Sequence, residues 1–161
     1  MADGQQIRHL LDYNQWADER IVAALDGLSQ DELARPREAD FGSLASNLLH
    51  TLNVQRVWLA RWKGEAPPRF DDPMTTTWRE AFAASHRALR EYVAPMSDDG
   101  LDRVVHGRDS RGNPYAVPLA RLVVHLVNHG TQHRAETGLL LERLGRSPGN
   151  LDYFYFVLER G

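Results

Sequence analysis

The chemistry open to this chain is concentrated in its histidines. There are seven of them and no cysteine. Any metal must therefore be held by nitrogen and oxygen, and thiolate ligands, disulfides, a cysteine nucleophile and iron–sulfur clusters are excluded. Three histidines fall four residues apart within Arg121-Leu-Val-Val-His-Leu-Val-Asn-His-Gly-Thr-Gln-His-Arg-Ala-Glu136. On a helical wheel at about 100° per residue with Leu122 as origin, Leu126, Leu140 and Leu144 lie near +40°, 0° and +40°, and mark a buried stripe. His129, at about −20°, and His133, at about +20°, fall inside that stripe, and His125, at about −60°, falls beside it. Two imidazoles at i and i+4 share one face and can grip a single cation. Unsatisfied in a core, each would cost about 1–3 kcal/mol. Two readings stay open: a metal that uses the lone pairs, or core and cleft histidines hydrogen-bonded to their neighbours.

The pattern excludes two known designs. Gly130 follows His129 where the zincin helix H-E-x-x-H requires a glutamate base. Di-iron carboxylate bundles need Glu-x-x-His on two helices, whereas His133-Arg-Ala-Glu136 runs in the reverse order. A third ligand must come from another segment. His50 shares a helical face with Val54 and Val57, which suits either an inward ligand or a boundary residue. His9, His86 and His106 have no partner at ligand spacing and read as surface or boundary residues. Asn14 and Asp18 interrupt the apolar stripe Ile7, Leu11, Ile21, Leu25. They either line a pocket beside the histidines, orient a ligand from behind, or face water where the bundle opens.

Helices must position these groups. Apolar periodicity predicts a first helix over about Gln5–Gly27, with Ser29-Gln-Asp-Glu32 as a capping box for a short turn of helix. A loop follows over Arg35–Gly42, then a second helix from Ser43 to Gly64. After an extended connection over Glu65–Pro73, Thr77-Trp-Arg-Glu80 opens a third helix that ends near Pro95. Val104-Val-His106 and Tyr115-Ala-Val117 suggest a small hairpin around Gly107–Pro114. The fourth helix runs from Pro118 to Leu144, and a last short one spans Leu151–Leu158. The expected fold is all-α: a four-helix bundle with one long crossover, a short β-hairpin before the fourth helix and a short C-terminal helix. The aromatic run Tyr153-Phe-Tyr-Phe156 either packs on a partner or closes the end of the bundle.

With 161 residues, 42% hydrophobic and 25% charged, the chain reads as a single domain over 1–161 that can bury a core without staples. A net charge of −3 gives no electrostatic case for nucleic acid or an anionic membrane as partner. The start has no apolar signal core, and the longest apolar run, Tyr153–Leu158, is too short to span a bilayer, so a cytoplasmic protein is expected.

Four segments, in order, resemble the DinB/YfiT-like family of metal-binding four-helix bundles. Tyr13-Asn-Gln-Trp-Ala-Asp-Glu-Arg20 is similar to its Y-N-x-W-A-N-x-R segment, and His50 falls in its second-helix L-x-H position. His125-Leu-Val-Asn-His-Gly-Thr-Gln-His-Arg134 resembles its H-x-x-N-H-x-x-x-H-R stretch. Leu144-Gly-Arg-Ser-Pro-Gly-Asn-Leu-Asp-Tyr153 resembles its terminal G-x-x-P-x-x-x-D-Y. Asp18 stands where the family usually has Asn, Gln132 where a His is common, and Ala135-Glu136 where Gly-Gln is usual. These departures leave the ligand positions intact.

The resemblance implies a divalent-metal site made of His50, His129 and His133, with Asn14, Asp18, Asn47 and Glu136 around it. Three neutral imidazoles leave positions open for water or substrate, and Zn²⁺, Ni²⁺, Fe²⁺ and Mn²⁺ all suit them. It further implies a thiol S-transferase or detoxification enzyme, in which a low-molecular-weight thiol (bacillithiol, mycothiol or glutathione) is activated and attacks an electrophile. Arg121 and Arg134 either meet acidic groups of that thiol or are solvated. A homodimer is the family expectation. The alternatives are a metal-dependent hydrolase with Asp18 or Glu136 as base, and a non-catalytic metal- or ligand-binding stress protein.

Overall fold

The computed structural model describes residues 3–36, 42–69 and 76–160. The loop expected over 35–42 and the connection expected over 65–73 lie outside the described residues at 37–41 and 70–73. The elements are α1 (Gly4–Ala23), α2 (Gln30–Ala34), α3 (Leu44–Lys63), α4 (Trp78–Val93), α5 (Asp98–Asp102), β1 (Val104–Arg108), β2 (Pro114–Pro118), α6 (Leu119–Glu142) and α7 (Tyr153–Arg160). Local chemistry sets most boundaries. The Asp3 carboxylate accepts from the amides of Gln5 and Gln6 and starts α1. Reciprocal capping boxes start α2 at Ser29 and Glu32 and α4 at Thr77 and Glu80. Gly64, at φ 74°, ends α3 in the left-handed conformation.

The four long helices form a bundle. Helix α1 packs on α4 and α6, and α3 packs on the same two. Helices α4 and α6 therefore stand on one diagonal. The chain crosses between them over residues 94–118, which carry α5 and the hairpin. The two strands pair antiparallel, with Val105 opposite Val117. Helix α7 lies on α1, where Tyr153 and Phe156 pack against Tyr13 and Trp16, so these two rings close the bundle while Phe154 and Tyr155 face outward. Among the described residues no helix is long and apolar enough to cross a membrane.

Several expectations need correction. Helix α1 ends at Ala23, and residues 24–27 are turns; α6 stops at Glu142. Helix α7 begins at Tyr153 because the Asp152 carboxylate accepts from the Phe154 amide and caps it there. Helix α5 is an element that apolar periodicity does not signal; Ser97 caps it by accepting from the Gly100 amide.

Besides the aromatic cluster beneath α7, the described core has two apolar clusters. One includes Ile7, Leu11, Trp62, Leu89 and Leu126; the other includes Ile21, Leu25, Leu48, Phe82 and Leu140. Between them each long helix contributes buried polar side chains: Asn14 and Asp18, Gln55, Ser85 and His86, Arg134 and Thr137. The buried arc of α6 is also wider than the leucine stripe. It takes in Val123, Val127, Gly130, Arg134, Thr137 and Leu141, so it centres about 70° from Leu122 rather than on it. The cause is that α6 has two neighbours, α1 and α3. His129 and His133 consequently sit half-buried at the edge of this arc, facing α3, and not in the seam itself.

Candidate metal centre

His50 comes from the middle of α3, and His129 and His133 from successive turns of α6. The ring centroids of His50 lie 5.3 Å from those of His129 and 4.5 Å from those of His133, and the latter two are 4.5 Å apart. One nitrogen from each ring lies within 4.8 Å of the other two, close enough to converge on one ion. His133 Nδ1 lies 2.7 Å from Glu136 Oε2. A carboxylate only accepts, so Nδ1 carries the proton and the Nε2 lone pair is left for a ligand bond. Burial, and then the charge of His133 and its neighbours, pushes His129 down to about 4. Burial and then His133 also lower His50. These two rings are neutral donors near pH 7, the state a divalent ion requires. The residues therefore fit the metal. Asn47 lies one turn before His50, and its side-chain Nδ2 is buried without a hydrogen-bond partner. His125 is exposed and packs edge-on to Trp58, at 5.3 Å, and to His129, at 5.9 Å.

Asn14 and Asp18 have a different setting from any expected. They are 1% and 2% exposed, so they do not face water. Arg134, 3% exposed, donates from Nη1 to Asn14 Oδ1 at 2.7 Å and to Asp18 Oδ1 at 2.9 Å. Gln55 Nε2 donates to Asp18 Oδ2 at 2.7 Å, and Ser85 Oγ donates to Gln55 Oε1 at 2.8 Å. His86 Nε2 lies 3.0 Å from Asp18 Oδ2, an ion-pair contact whose direction falls short of a hydrogen bond. Burial pushes the Asp18 carboxyl up, but the charge of Arg134, the close approach of His86 and the Arg134 hydrogen bond outweigh it and hold the carboxyl below its ordinary value. Asp18 is thus the counter-ion of a dry network that joins all four long helices. His86 is no surface residue, and Arg134 is neither solvated nor free to meet a ligand.

Gly130 makes this network possible. A Cβ there would lie 2.7 Å from Arg134 Nη1 and 2.9 Å from Asn14 Oδ1. The missing side chain lets the guanidinium fold back along its own helix to reach α1. Because Arg134 follows His133 directly, the ion pair that ties α6 to α1 also sets the rotation that turns His133 toward α3.

A cavity of about 590 Å³ opens beside His50 and His129, bounded by α3, α6 and the hairpin. Asp109, at the hairpin turn, also borders it. Its carboxylate is engaged by the amides of Arg111 and Asn113 and by the Asn113 side chain.

A helical bundle with three convergent imidazoles on two of its helices, one of them oriented by a carboxylate, defines a class of protein built to hold a divalent cation. Within that class the match is specific: the model of the DinB family aligns with residues 1–159, and the chain belongs to this family. Two solved structures share the fold. One is YfiT from Bacillus subtilis, described as a probable metal-dependent hydrolase with an unusual four-helix bundle topology. It is 16% identical, with a TM-score of 0.67, over 91% of this chain and 92% of that one. The other is a conserved protein from Enterococcus faecalis, 14% identical, with a TM-score of 0.63, over 88% of this chain and 96% of that one. No curated protein matches the sequence.

Proposed function

We propose that this DinB protein is a divalent-metal enzyme that transfers a low-molecular-weight thiol to an electrophile. The observation that carries the reading is the imidazole trio: half-buried, held in donor form, and open on one side to a cavity large enough for a small organic substrate. A divalent cation held there would supply Lewis-acid chemistry and would lower the pKa of a thiol or water brought to it. His50, His129 and His133 bind, Glu136 fixes the His133 ring, and the cavity holds the electrophile. The thiol proton leaves to solvent, the sulfur bonds to the electrophilic carbon, and the leaving group departs with the electron pair of the broken bond. No protein base is required. This suits the site, because Asp18, Asp109 and Glu136 are each committed to other hydrogen bonds.

Hydrolysis is the second reading, favoured by the description of YfiT. The same Lewis acidity would make a nucleophile of water near neutral pH, so the nucleophile consumed, thiol or water, separates the two readings. The ion is Zn²⁺, Ni²⁺, Fe²⁺ or Mn²⁺, all compatible with three nitrogen donors.

The test begins with elemental analysis of the tag-free protein beside His129→Ala. About one ion per chain, lost in the variant, is the expected result. The loaded protein is then given a thiol with an alkyl halide, and separately an activated ester. Thiol-dependent halide release supports transfer; ester cleavage without thiol consumption overturns transfer in favour of hydrolysis. No metal uptake by either protein overturns both.

A further inference from the structure

The cavity beside His50 and His129 has features that a metal centre alone does not explain. Along α3 the residues facing it are His50, Val54, Val57, Trp58 and Arg61, a single helical face at i, i+4, i+7, i+8 and i+11. Across from them stand Tyr115 of the hairpin and His125 of α6. Trp58 packs against both, at 6.1 Å from the Tyr115 ring and 5.3 Å from the His125 ring. Arg61 is half-buried, with its guanidinium carbon 5.1 Å from the centre of the Trp58 ring. That ring is its contact; Arg61 has no carboxylate and no hydrogen-bond acceptor among the described residues. A cation kept partly out of water, with donors that no described residue takes up, is ready for an anion from outside the chain. Asp109 does not fill this role, because its oxygens are turned into the hairpin. Arg61 lies three turns from His50, about 16 Å by helical rise.

We propose that this cavity takes an elongated, ring-bearing organic anion, its acid group at Arg61, its ring on Trp58 and Tyr115, and its reactive end at His50 and His129. The assignment rests on reading the three-histidine group as the reaction centre, and it names the electrophile's chemical class: a hydrophobic aromatic acid. The aliphatic side chains of α3 exclude water along the middle of the ligand. The hairpin, which packs on the bundle core through Val105 and Val117, becomes the wall that selects for a flat ring.

The test is titration with naphthoate of both the metal-free and the Zn²⁺-loaded protein, read by NMR at the Trp58 indole N–H. The neutral naphthalenemethanol serves as control. Naphthoate shifts the indole resonance, and Arg61→Met weakens its binding by about tenfold, the loss of one charge-assisted contact. Arg61→Lys recovers part of the loss, and naphthalenemethanol binds wild type and Arg61→Met alike. An indole resonance that naphthoate leaves unmoved, or equal naphthoate affinity in wild type and Arg61→Met, overturns the proposal. The readout needs no turnover. Naphthoate bound by a protein that transfers no thiol overturns the transferase reading and keeps the cavity assignment; thiol transfer by a protein indifferent to naphthoate does the reverse.

Discussion

Glu136 and Gly130 show how much a single position contributes here. Glu136 fixes the His133 tautomer from one side. Glu136→Gln keeps an acceptor for Nδ1–H but removes the charge that makes the imidazole a stronger donor. Metal affinity falls by about 10–100-fold with stability little changed, as competition with a chromophoric chelator will show. Gly130→Ala tests the other face. Alanine favours helix over glycine by about 1 kcal/mol. The new Cβ, however, displaces a guanidinium that is locked in a buried pair, and overpacking of this kind costs about 1–3 kcal/mol. The net effect in urea denaturation is destabilisation. The two residues also mark what the sequence makes legible. The His129–His133 pair is visible because helical spacing puts both on one face. His50 is a candidate from its helical face, but only the family resemblance chooses ligand over boundary residue, since the facing of one helix toward another is not written in either. His86 was recoverable: Phe82, His86, Leu89 and Val93 follow seam spacing, so His86 occupies a core position. Arg134 was not, because a buried charge becomes intelligible only once its counter-ion is known.

At the level of elements, the bundle is held in register by a charged pair as well as by its apolar clusters. Asp18 on α1 and Arg134 on α6 meet between the two clusters. Asp18→Asn leaves the guanidinium buried without a counter-charge, which costs about 3–5 kcal/mol, measurable as a lowered urea midpoint. Replacing both residues, as Asp18→Leu with Arg134→Met, recovers only part of that loss: the buried charge is gone, but Gln55 Nε2 and Asn14 Oδ1 lose their partners. The helices, their caps and the hairpin were readable from period, capping boxes and turn residues. What the pattern missed was the width of the α6 face. The Leu122–Leu126–Leu140 stripe marks only part of the face, while Gly130 and Arg134 serve the part that meets α1.

For the whole molecule, metal and protons act on the folded state in opposite senses. An ion that binds only the folded chain stabilises it by about 2.7 kcal/mol at a hundredfold excess over Kd. That corresponds to a rise in Tm of roughly 5–10 °C for a chain of this size. Calorimetry of wild type with added Zn²⁺ shows this rise; EDTA removes it, and His129→Ala lacks it. In metal-free protein, His129 titrates at about 4 when folded, against an ordinary value of 6.5. The unfolded chain therefore binds the proton first, and stability falls as pH drops between those values. Asp18 adds to the loss at lower pH: its depressed carboxyl stabilises the fold above the unfolded value, and that contribution goes as pH falls through the folded one. Urea midpoints measured against pH in EDTA will fall from neutrality toward pH 4, and more gently in His129→Gln. Equal slopes would refute the assignment to His129.

The void at Gly130 also bears on how such a bundle can evolve. A single substitution, Gly130→Glu, would turn His129-Gly-Thr-Gln-His133 into the zincin signature and give the helix a base of its own. That path is closed while Arg134 and Asn14 fill the space, because any side chain at 130 must first break the tie between α1 and α6. The helix that carries two of the imidazoles therefore cannot gain a base at position 130 without giving up its tie to α1.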